Sequence, residues 1–408
     1  MKELFTITEI KEAKSLLGRD FQPQLKAETV ALEQALGRIN YDDILATEQV
    51  PNFSRSTKDG YAVRARDTFG ASESLPGLLT LGEEILMGVP TSFPLGPGQA
   101  SYIPTGGMLP EGADAVLMIE YADHLSDEEL LVLKEVARGE NVTLKGDDVQ
   151  VGDLLIPRGK RLRPQEMGLL ASQGIVTVTV RERIRVGILS TGNELIEAGY
   201  VPSLGQIRDV NSYILRAEVE RAGASPTIYP IARDEYDHLY GLVSQAFSEN
   251  HMVLISGGSS VGTRDFCLKV LTDLTGKDPL FHGIPLKPGK PALGASLDGK
   301  VLLGLPGHPV SARTVYDVLV KPLLQTEEEN DWKNMVEGIL VRNVVSETGR
   351  DDHIKVQVRK EKGEILVYPL LGVSGIVSLM TEGDGEMVIP KGTEGFEQGK
   401  RVQVILYG

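Results

Sequence analysis

Scarce cysteine and the lack of long apolar runs limit what this chain can be. Cys267 is the one cysteine among 408 residues, so an internal disulfide is excluded and a reducing, cytoplasmic setting is expected. The six histidines are scattered, and no cysteine–histidine pair has the spacing of a zinc site. No apolar run is long enough to cross a bilayer, and the first residues carry no signal-peptide pattern. These absences argue against a disulfide scaffold, a zinc module and a membrane-spanning protein.

Basic residues are also in deficit. The chain has 42 Lys and Arg against 57 Asp and Glu, which gives a formal net charge of -15. A general nucleic-acid binder needs a basic face, so that class is disfavoured, although a local basic pocket could still hold a small anion. Hydrophobic residues make up 41% and charged residues 24%, as in a soluble globular protein. The length allows two to four domains.

Strand and helix patterns alternate between Ile184 and about Leu324. The short apolar runs that predict strands are Ile184–Leu189, Thr227–Ile231, Met252–Ile255 and Val301–Leu305. The patterns that predict helices run from Asn211 to Ala222, from Asp234 to Ser248 and from Pro309 to Leu323. Such alternation indicates a central doubly wound parallel α/β domain.

The rest of the chain has different patterns of apolar, polar, glycine and proline residues. Helices are predicted at Thr8–Leu17, at Ala31–Leu36 and from about Pro164 to Ser172, whereas a Gly- and Pro-rich stretch up to about Glu140 predicts a β-rich insert. Alternating apolar and polar residues after about Asp331 predict a small β-barrel or sandwich. The expected domains are a mixed N-terminal domain (1–47 with 140–181), the β-rich insert (48–139), the α/β domain (182–327) and a C-terminal β-barrel (328–408).

A glycine-rich loop follows the buried strand Met252–Ile255. Residues 256–266 read Ser-Gly-Gly-Ser-Ser-Val-Gly-Thr-Arg-Asp-Phe, and a second element, 287–291, reads Lys-Pro-Gly-Lys-Pro. Glycines let a ligand approach the backbone N–H groups, and the two lysines would place two positive charges close together. Each piece alone is more often a turn or a solvated surface. Together, within one βα unit and its successor, they favour a phosphate or oxyanion site.

Three successive predicted strand ends carry an acid: Glu194, Asp234 and Asp265. On a parallel sheet such ends lie along one edge, where ligands bind. Clustered carboxylates beside an anion pocket suit Mg²⁺, which prefers oxygen ligands and bridges phosphates. The alternative is that Glu194 and Asp234 simply cap the helices that follow them.

Taken in order, the motifs resemble those of the MoeA family of molybdopterin molybdenumtransferases, which is related to the E domain of gephyrin. The elements that carry the resemblance are Ser-Gly-Gly-Ser-Ser-Val-Gly-Thr-Arg-Asp at 256–265, Lys-Pro-Gly-Lys-Pro at 287–291, Leu-Pro-Gly-His-Pro-Val-Ser at 305–311 and Asp-Gly-Tyr-Ala at 59–62. The resemblance extends over nearly the whole chain. It implies four domains and a homodimer, with the Asp59 region of one subunit completing the site of the other.

The resemblance also implies the site residues. The catalytic acids would be Asp59, Asp148, Glu194, Asp234 and Asp265, and the metal ligands Glu194, Asp234 and Asp265. The substrate-binding residues would be Thr105, Ser256, Gly257, Gly258, Ser259, Gly262, Lys287, Lys290, Pro306, Gly307, Pro309 and Ser374. In this scheme the 256–262 loop holds a phosphate by its N–H groups, and the two lysines attract molybdate or phosphate.

The implied reaction belongs to molybdenum-cofactor synthesis. Molybdate is inserted into adenylated molybdopterin, AMP is released and Mg²⁺ is required; other proteins of the same synthesis are conceivable partners. Two alternative functions remain. The first is a nucleotidyl enzyme resembling molybdopterin adenylyltransferases, and the second is a non-enzymatic scaffold on the same fold. The extra regions around the α/β domain argue against the first, and retention of all five acids argues against the second.

Two positions depart from the family pattern. Ser56-Thr57-Lys58 stands before Asp59, where the family usually has Ser-Ala-Met. The family often has a further lysine shortly before Lys-Pro-Gly-Lys-Pro, where this chain has Phe281-His282-Gly283. Either His282 takes that lysine's role or the oxyanion pocket is weaker.

Overall fold

The computed structural model describes residues 7–257, 264–325, 335–361, 363–370 and 381–407, without the side chains of residues 264 and 265. Ala27–Arg181 form one compact unit, and Met1–Lys26 together with Glu182–Gly408 form another. The helices are α1 (Ile10–Asp20), α2 (Pro164–Ser172), α3 (Asn211–Arg221), α4 (Tyr236–Glu249), α5 (Arg264–Thr275), α6 (Pro309–Val315) and α7 (Lys321–Leu324). A π-helical turn at Tyr316–Val320 joins the last two.

The unit 27–181 is built mainly of strands. They are β1 (Ala27–Ala31), β2 (Ile44–Leu45), β3 (Arg55–Ser56), β4 (Gly60–Val63), β5 (Ser72–Leu81), β6 (Gln99–Ile103), β7 (Ala115–Met118), β8 (Ala122–His124), β9 (Glu129–Lys134), β10 (Val142–Thr143), β11 (Leu154–Ile156) and β12 (Thr177–Arg181). Six of them form one sheet in the order β7-β4-β6-β5-β9-β8. The β-rich insert predicted from glycine and proline content is therefore present.

The helix predicted at Ala31–Leu36 is wrong. Only a single 3₁₀ turn, Leu32–Gln34, forms there. The residues before it belong to β1, which pairs antiparallel with β12 over five positions, from Ala27↔Arg181 to Ala31↔Thr177. A helix this short is marginal because nucleation is costly. The pairing with β12 reaches Ala31, and the Leu32 N–H donates to the Val176 carbonyl, so the first residues of the predicted helix bond to a distant segment instead.

The α/β domain holds β13 (Arg185–Thr191), β14 (Leu195–Ile196), β15 (Ile207–Arg208), β16 (Ser225–Ile228), β17 (Met252–Gly257), β18 (Phe281–His282), β19 (Leu286–Lys287), β20 (Leu293–Leu297) and β21 (Lys300–Leu305). Its sheet has the order β16-β13-β17-β21-β20-β18; the first four strands are parallel and the last two antiparallel. Because helices cover both faces, the central strands are apolar throughout. Helices α1, α3 and α6 pack on one face, and α4 and α5 on the other. The predicted doubly wound sheet is confirmed, with an antiparallel edge.

Helix α1 packs on this sheet. Ala13 and Leu17 are fully buried in the same core as Val186 and Ile188 of β13. The helix also runs through Gly18, where the sequence pattern predicts its end. The first 26 residues thus belong to the unit of the α/β domain, which differs from their expected grouping with residues 140–181.

A barrel follows the α/β domain. Its strands are β22 (Met335–Leu340), β23 (Val344–Val345), β24 (Asp351–Glu361), β25 (Glu364–Pro369), β26 (Gly385–Ile389), β27 (Gly395–Phe396) and β28 (Arg401–Leu406). The order β24-β25-β22-β28-β26 closes through a further pairing of β26 with β24. Strand β19 of the α/β domain extends this sheet by pairing parallel with the start of β24. The predicted C-terminal β-barrel is confirmed.

A buried cluster of charges lies where the barrel meets helix α6. Lys355 Nζ is 2.7 Å from Glu386 Oε2, and both side chains are almost fully buried. Arg313 of α6 lies 3.2 Å from Glu218 and 3.8 Å from Asp317, and its guanidinium stacks on the Tyr407 ring. Burial would raise the pKa of Glu386, but Lys355 and His353 hold that pKa well below its usual range.

Asp317 should make folding stability depend on pH. Burial and the charge of Glu386 raise its pKa to about 6, against the opposing pull of Arg313 and Lys355. A carboxyl whose pKa is raised on folding stabilises the fold at low pH, and that contribution is lost as pH rises from about 4 to about 6. Asp317→Asn should therefore gain stability relative to wild type by about 2 kcal/mol between pH 4 and pH 7. Urea unfolding across this range measures the difference.

The exposed Asp278→Asn variant is the control, because its carboxyl is solvated. It should track wild type at every pH. A constant difference between Asp317→Asn and wild type across the range would contradict the assignment.

Candidate functional site

The carboxyl ends of three parallel strands meet at one edge of the α/β sheet. Thr191 at the end of β13 pairs with Gly257 at the end of β17, and Ser256 pairs with Leu305 at the end of β21. The segments that follow these strands therefore start side by side. They carry most of the residues predicted to bind substrate, as expected for ligand sites in open α/β sheets.

Asp234 is tied to this edge by its own carboxylate. Thr191 Oγ1 donates to Asp234 Oδ1 at 3.0 Å, and the Asn193 N–H donates to Asp234 Oδ2 at 3.3 Å. Asn193 Oδ1 in turn accepts the backbone N–H of Asp234 at 3.2 Å. Helix α4 begins two residues later with no side-chain cap. The capping alternative for Asp234 is therefore wrong, since its carboxylate bonds back to the end of β13.

Glu194 lies beside the same strand end. It is exposed, and β14 rather than a helix follows it, so it caps no helix. A Cβ added at Gly192 would lie 2.8 Å from each Glu194 carboxylate oxygen. The glutamate thus folds back over Gly192, with its carboxylate beside the end of β13.

Gly257 is the point of closest approach between two strand ends. Its φ is +111°, and a Cβ at this position would lie 2.2 Å from the Thr191 carbonyl oxygen. Both facts require glycine. The chain can therefore leave β17 directly against the end of β13.

Asn211, the first residue of α3, joins the other two strand ends. Its Nδ2 donates to Ser256 Oγ at 2.6 Å and to the Gly307 carbonyl at 2.7 Å. The side chain is 7% exposed, and its Oδ1 has no partner among the described residues. Because a carbonyl oxygen can only accept a hydrogen bond, the atom of the Asn211 amide that faces Gly307 must be the nitrogen. Pro306 is buried beside Gly307, and Pro309 is buried as the first residue of α6.

The two lysines lie at the same edge. Strand β20 is antiparallel to β21, and its first residue, Leu293, pairs with Gly304 near the end of β21. The preceding turn, 283–292, is closed by hydrogen bonds from Gly283 to Ala292 and from Ile284 to Lys290. The Lys287 ammonium forms an ion pair with Asp352 of the barrel at 3.1 Å.

Asp59 and Thr105 lie together in the unit 27–181. Strand β4 starts at Gly60 and pairs with Ile103 of β6, so the residue before one strand meets the loop after the other. The Thr105 N–H donates to Asp59 Oδ1 at 2.7 Å, and the hydrogen bonds from Thr105 hold the pKa of Asp59 below its ordinary value. The Asp59 carboxylate is thus exposed and ionised at neutral pH.

Asp148 lies elsewhere on that unit. It is exposed on a loop, and its backbone N–H donates to the Val50 carbonyl at 3.0 Å. Lys58, which departs from the family pattern, is also exposed, and its N–H donates to Ser56 Oγ at 3.1 Å. That bond shapes the turn before Asp59 and does not depend on the lysine side chain.

Several predicted residues lie outside the described part of the chain. These are Gly258, Ser259 and Gly262 of the glycine-rich loop, Ser374, and the side chain of Asp265, whose backbone begins helix α5. The predicted roles of these residues remain predictions.

The chemistry available at the edge is that of oxygen donors, N–H donors and ammonium groups. Burial raises the pKa of the Cys267 thiol to about 12, so it is no nucleophile at neutral pH. Within the described ranges, no group of three His, Cys, Asp or Glu side chains is close enough together to hold a metal ion without other ligands. Within the same ranges, no helix has the length and apolarity needed to cross a membrane.

Three residues of the edge escape prediction from the sequence. Thr191 and Asn193 orient Asp234, and Asn211 links two strand ends. The sequence pattern predicts Asn211 only as the start of a helix. Thr191 and Asn193 follow the predicted strand Ile184–Leu189 by two and four residues, and polar residues so soon after a predicted strand were the available signal for the first two.

Comparison with known proteins gives a consistent result over the whole chain. Residues 8–174 match the family "MoeA N-terminal region (domain I and II)", residues 187–326 match "Probable molybdopterin binding domain", and residues 337–407 match "MoeA C-terminal region (domain IV)". These three matches follow one another without overlap.

Individual proteins similar to this chain belong to the same family as the three matches. The chain is 34% identical to the molybdopterin molybdenumtransferase of Bacillus subtilis, over 95% of this chain and 91% of that one. It is 30% identical to the molybdopterin molybdenumtransferase of Staphylococcus aureus, over 94% and 92% respectively. The solved molybdopterin biosynthesis MoeA protein of Pyrococcus horikoshii is similar with a TM-score of 0.83 and 34% identity, covering 99% of this chain and 100% of that one.

Proposed function

Since the chain belongs to the MoeA family, we propose that it is a molybdopterin molybdenumtransferase that inserts molybdate into adenylated molybdopterin and releases AMP. Support comes from the match to curated enzymes along nearly the whole chain. The observation that carries the proposal is the convergence of Asp234, Glu194, Gly257 and the lysine turn on one edge of the α/β sheet. The expected cytoplasmic location belongs to the same proposal.

The reaction makes two demands on the site. Cleaving the phosphoanhydride needs a water placed in line and donors for the charge that develops on phosphate. Joining molybdate to the two thiols forms two Mo–S bonds, and one oxygen leaves as water with the two thiol protons. The site must therefore hold two anions close together and handle protons beside them.

The residues at the sheet edge suit these demands. Gly257 lets β17 end directly against β13, which places it beside Thr191, the residue that orients Asp234. Asp234, oriented by Thr191 and Asn193, can position a water or accept its proton. Lys287 and Lys290, in a turn at the same edge, supply positive charge for an oxyanion.

Mg²⁺ fits this donor set. The carboxylates of Glu194 and Asp234 are hard oxygen ligands, and Mg²⁺ is usually held by one or two carboxylates together with substrate phosphates. We propose that Glu194, Asp234 and Asp265 hold it. When bound, the ion would stabilise negative charge on the phosphate.

One experiment tests the function. The purified protein is incubated with adenylated molybdopterin and Mg²⁺, with and without molybdate, and AMP is followed. Molybdate-dependent AMP release is expected. ATP consumption with free molybdopterin would favour the nucleotidyl enzyme, and no turnover of either kind would favour the scaffold.

We also propose that the protein acts as a homodimer in which Asp59 serves the partner's site. A light-scattering mass near twice 44.3 kDa is expected. Asp59→Asn and Asp234→Asn proteins, each inactive alone, should regain up to about half of the wild-type rate as heterodimers, because one of the two sites is then intact. Verified heterodimers without activity would mean that both acids serve one subunit's site or that Asp59 is structural.

A further inference from the structure

The positive charge of Lys287 is already engaged in the structure. Its Nζ lies 3.1 Å from Asp352 Oδ2. The lysine side chain is 36% exposed, whereas that of Asp352 is 3% exposed. One member of the pair therefore faces solvent at the strand-end edge, and the other is buried in the barrel.

Backbone bonds hold this pair in place. Leu286 and Lys287 pair with Asp351 and Asp352, and the Asp351 N–H donates to the Pro285 carbonyl at 2.9 Å. The Asp352 carboxylate also accepts a hydrogen bond from Ser346 Oγ at 2.9 Å. Both partners thus sit on paired strands, and burial together with the Ser346 bond holds the carboxylate beside Lys287.

We infer that Asp352 competes with the substrate oxyanion for Lys287 and thereby limits how tightly the site binds molybdate. A fixed carboxylate beside the ammonium offsets its charge, and it also repels a dianion that approaches from the solvent side. Limited affinity keeps the oxyanion exchangeable until the second substrate is bound. This inference rests on the proposed role of Lys287 in oxyanion binding.

Asp352→Asn tests the inference because asparagine keeps the shape and the acceptor oxygen but removes the charge. Titration of the full-length protein with molybdate alone in a calorimeter should show binding about tenfold tighter than wild type. The molybdate concentration for half-maximal AMP release should fall by a similar factor. Sulfate, a dianion of the same shape, should also bind more tightly.

Asp351→Asn is the matched control. It removes the same charge from the neighbouring position of β24, but the Asp351 carboxylate accepts the Lys391 backbone N–H instead of pairing with Lys287. Its molybdate affinity should stay within about twofold of wild type, since a more distant charge is screened. Equal effects of the two substitutions, or an unchanged or weaker affinity in Asp352→Asn, would overturn the inference.

The two proposals can fail separately. If the wild-type protein releases no AMP with molybdate, the proposed function fails, while the calorimetric comparison still decides the role of Asp352. If AMP release is normal and Asp352→Asn binds molybdate like wild type, the function stands and Asp352 only joins the barrel to the lysine turn.

Discussion

Replacing Asp234 with asparagine should lower molybdate-dependent AMP release by about 100-fold or more, the usual scale for losing one electrostatic group of an active site. Asparagine keeps an acceptor oxygen for Thr191 Oγ1, and the backbone N–H of residue 234 can still donate to Asn193 Oδ1, so the loop after β13 should stay close to its shape. The substitution removes the negative charge that orients water or holds a hard cation, together with the 3.3 Å bond that the Asn193 N–H donates to the second carboxylate oxygen. Single-turnover AMP release measures the loss, and calorimetric titration with Mg²⁺ tests separately whether cation affinity falls.

Asp237→Asn is the control for this substitution. It removes the same charge three residues later, from the exposed first turn of α4. Its rate and Mg²⁺ affinity should match wild type. Wild-type AMP release in Asp234→Asn would reduce Asp234 to a structural link between β13 and α4, and the proposed mechanism would lose that acid.

The strand ends around Asp234 were predictable because their signal is local. A short apolar run that is soon followed by glycine, as at Met252–Ile255, predicts a buried strand of a parallel sheet. The topology then places such strand ends at one edge. The positions of Glu194, Asp234 and Gly257 follow from these two steps.

Contacts between distant parts of the chain were not predictable in the same way. The amphipathic pattern of α1 shows which side of the helix is buried, but the pattern does not show that Leu17 packs into the core of the α/β sheet. The pairing of β1 with β12 overrides a weak helical tendency after Ala31 because it depends on residues far along the chain. Sequence periodicity carries no information about such partners.

The same reason explains what was missed at the site. From the sequence, a lysine in a Pro-Gly turn, such as Lys287, is predicted to be solvated or to bind an anion. Its pairing with Asp352 depends on the barrel's first long strand adding to β19, which no local pattern indicates. Asn211 is similar, since its role comes from two strand ends that are remote in sequence.

The buried charges at the barrel have the largest expected effect on stability. Lys355→Met should lower the free energy of unfolding by about 3–5 kcal/mol, because it leaves Glu386 buried without its main counter-charge. The loss should be greatest above neutral pH, where Glu386 must stay ionised or take up a proton at a cost. Denaturant unfolding at pH 8, monitored by circular dichroism, measures it.

An exposed ion pair of the same barrel provides the comparison. Arg401 and Glu337 lie 3.2 Å apart, with side chains 66% and 56% exposed, so Arg401→Met should cost less than about 1 kcal/mol. The double variant Lys355→Met with Glu386→Leu should recover much of the single variant's loss, since no uncompensated carboxylate then remains buried. If Lys355→Met is as mild as Arg401→Met, the cluster adds little to stability. If instead the double variant is no better than the single one, the loss comes from packing against Tyr407 and not from charge.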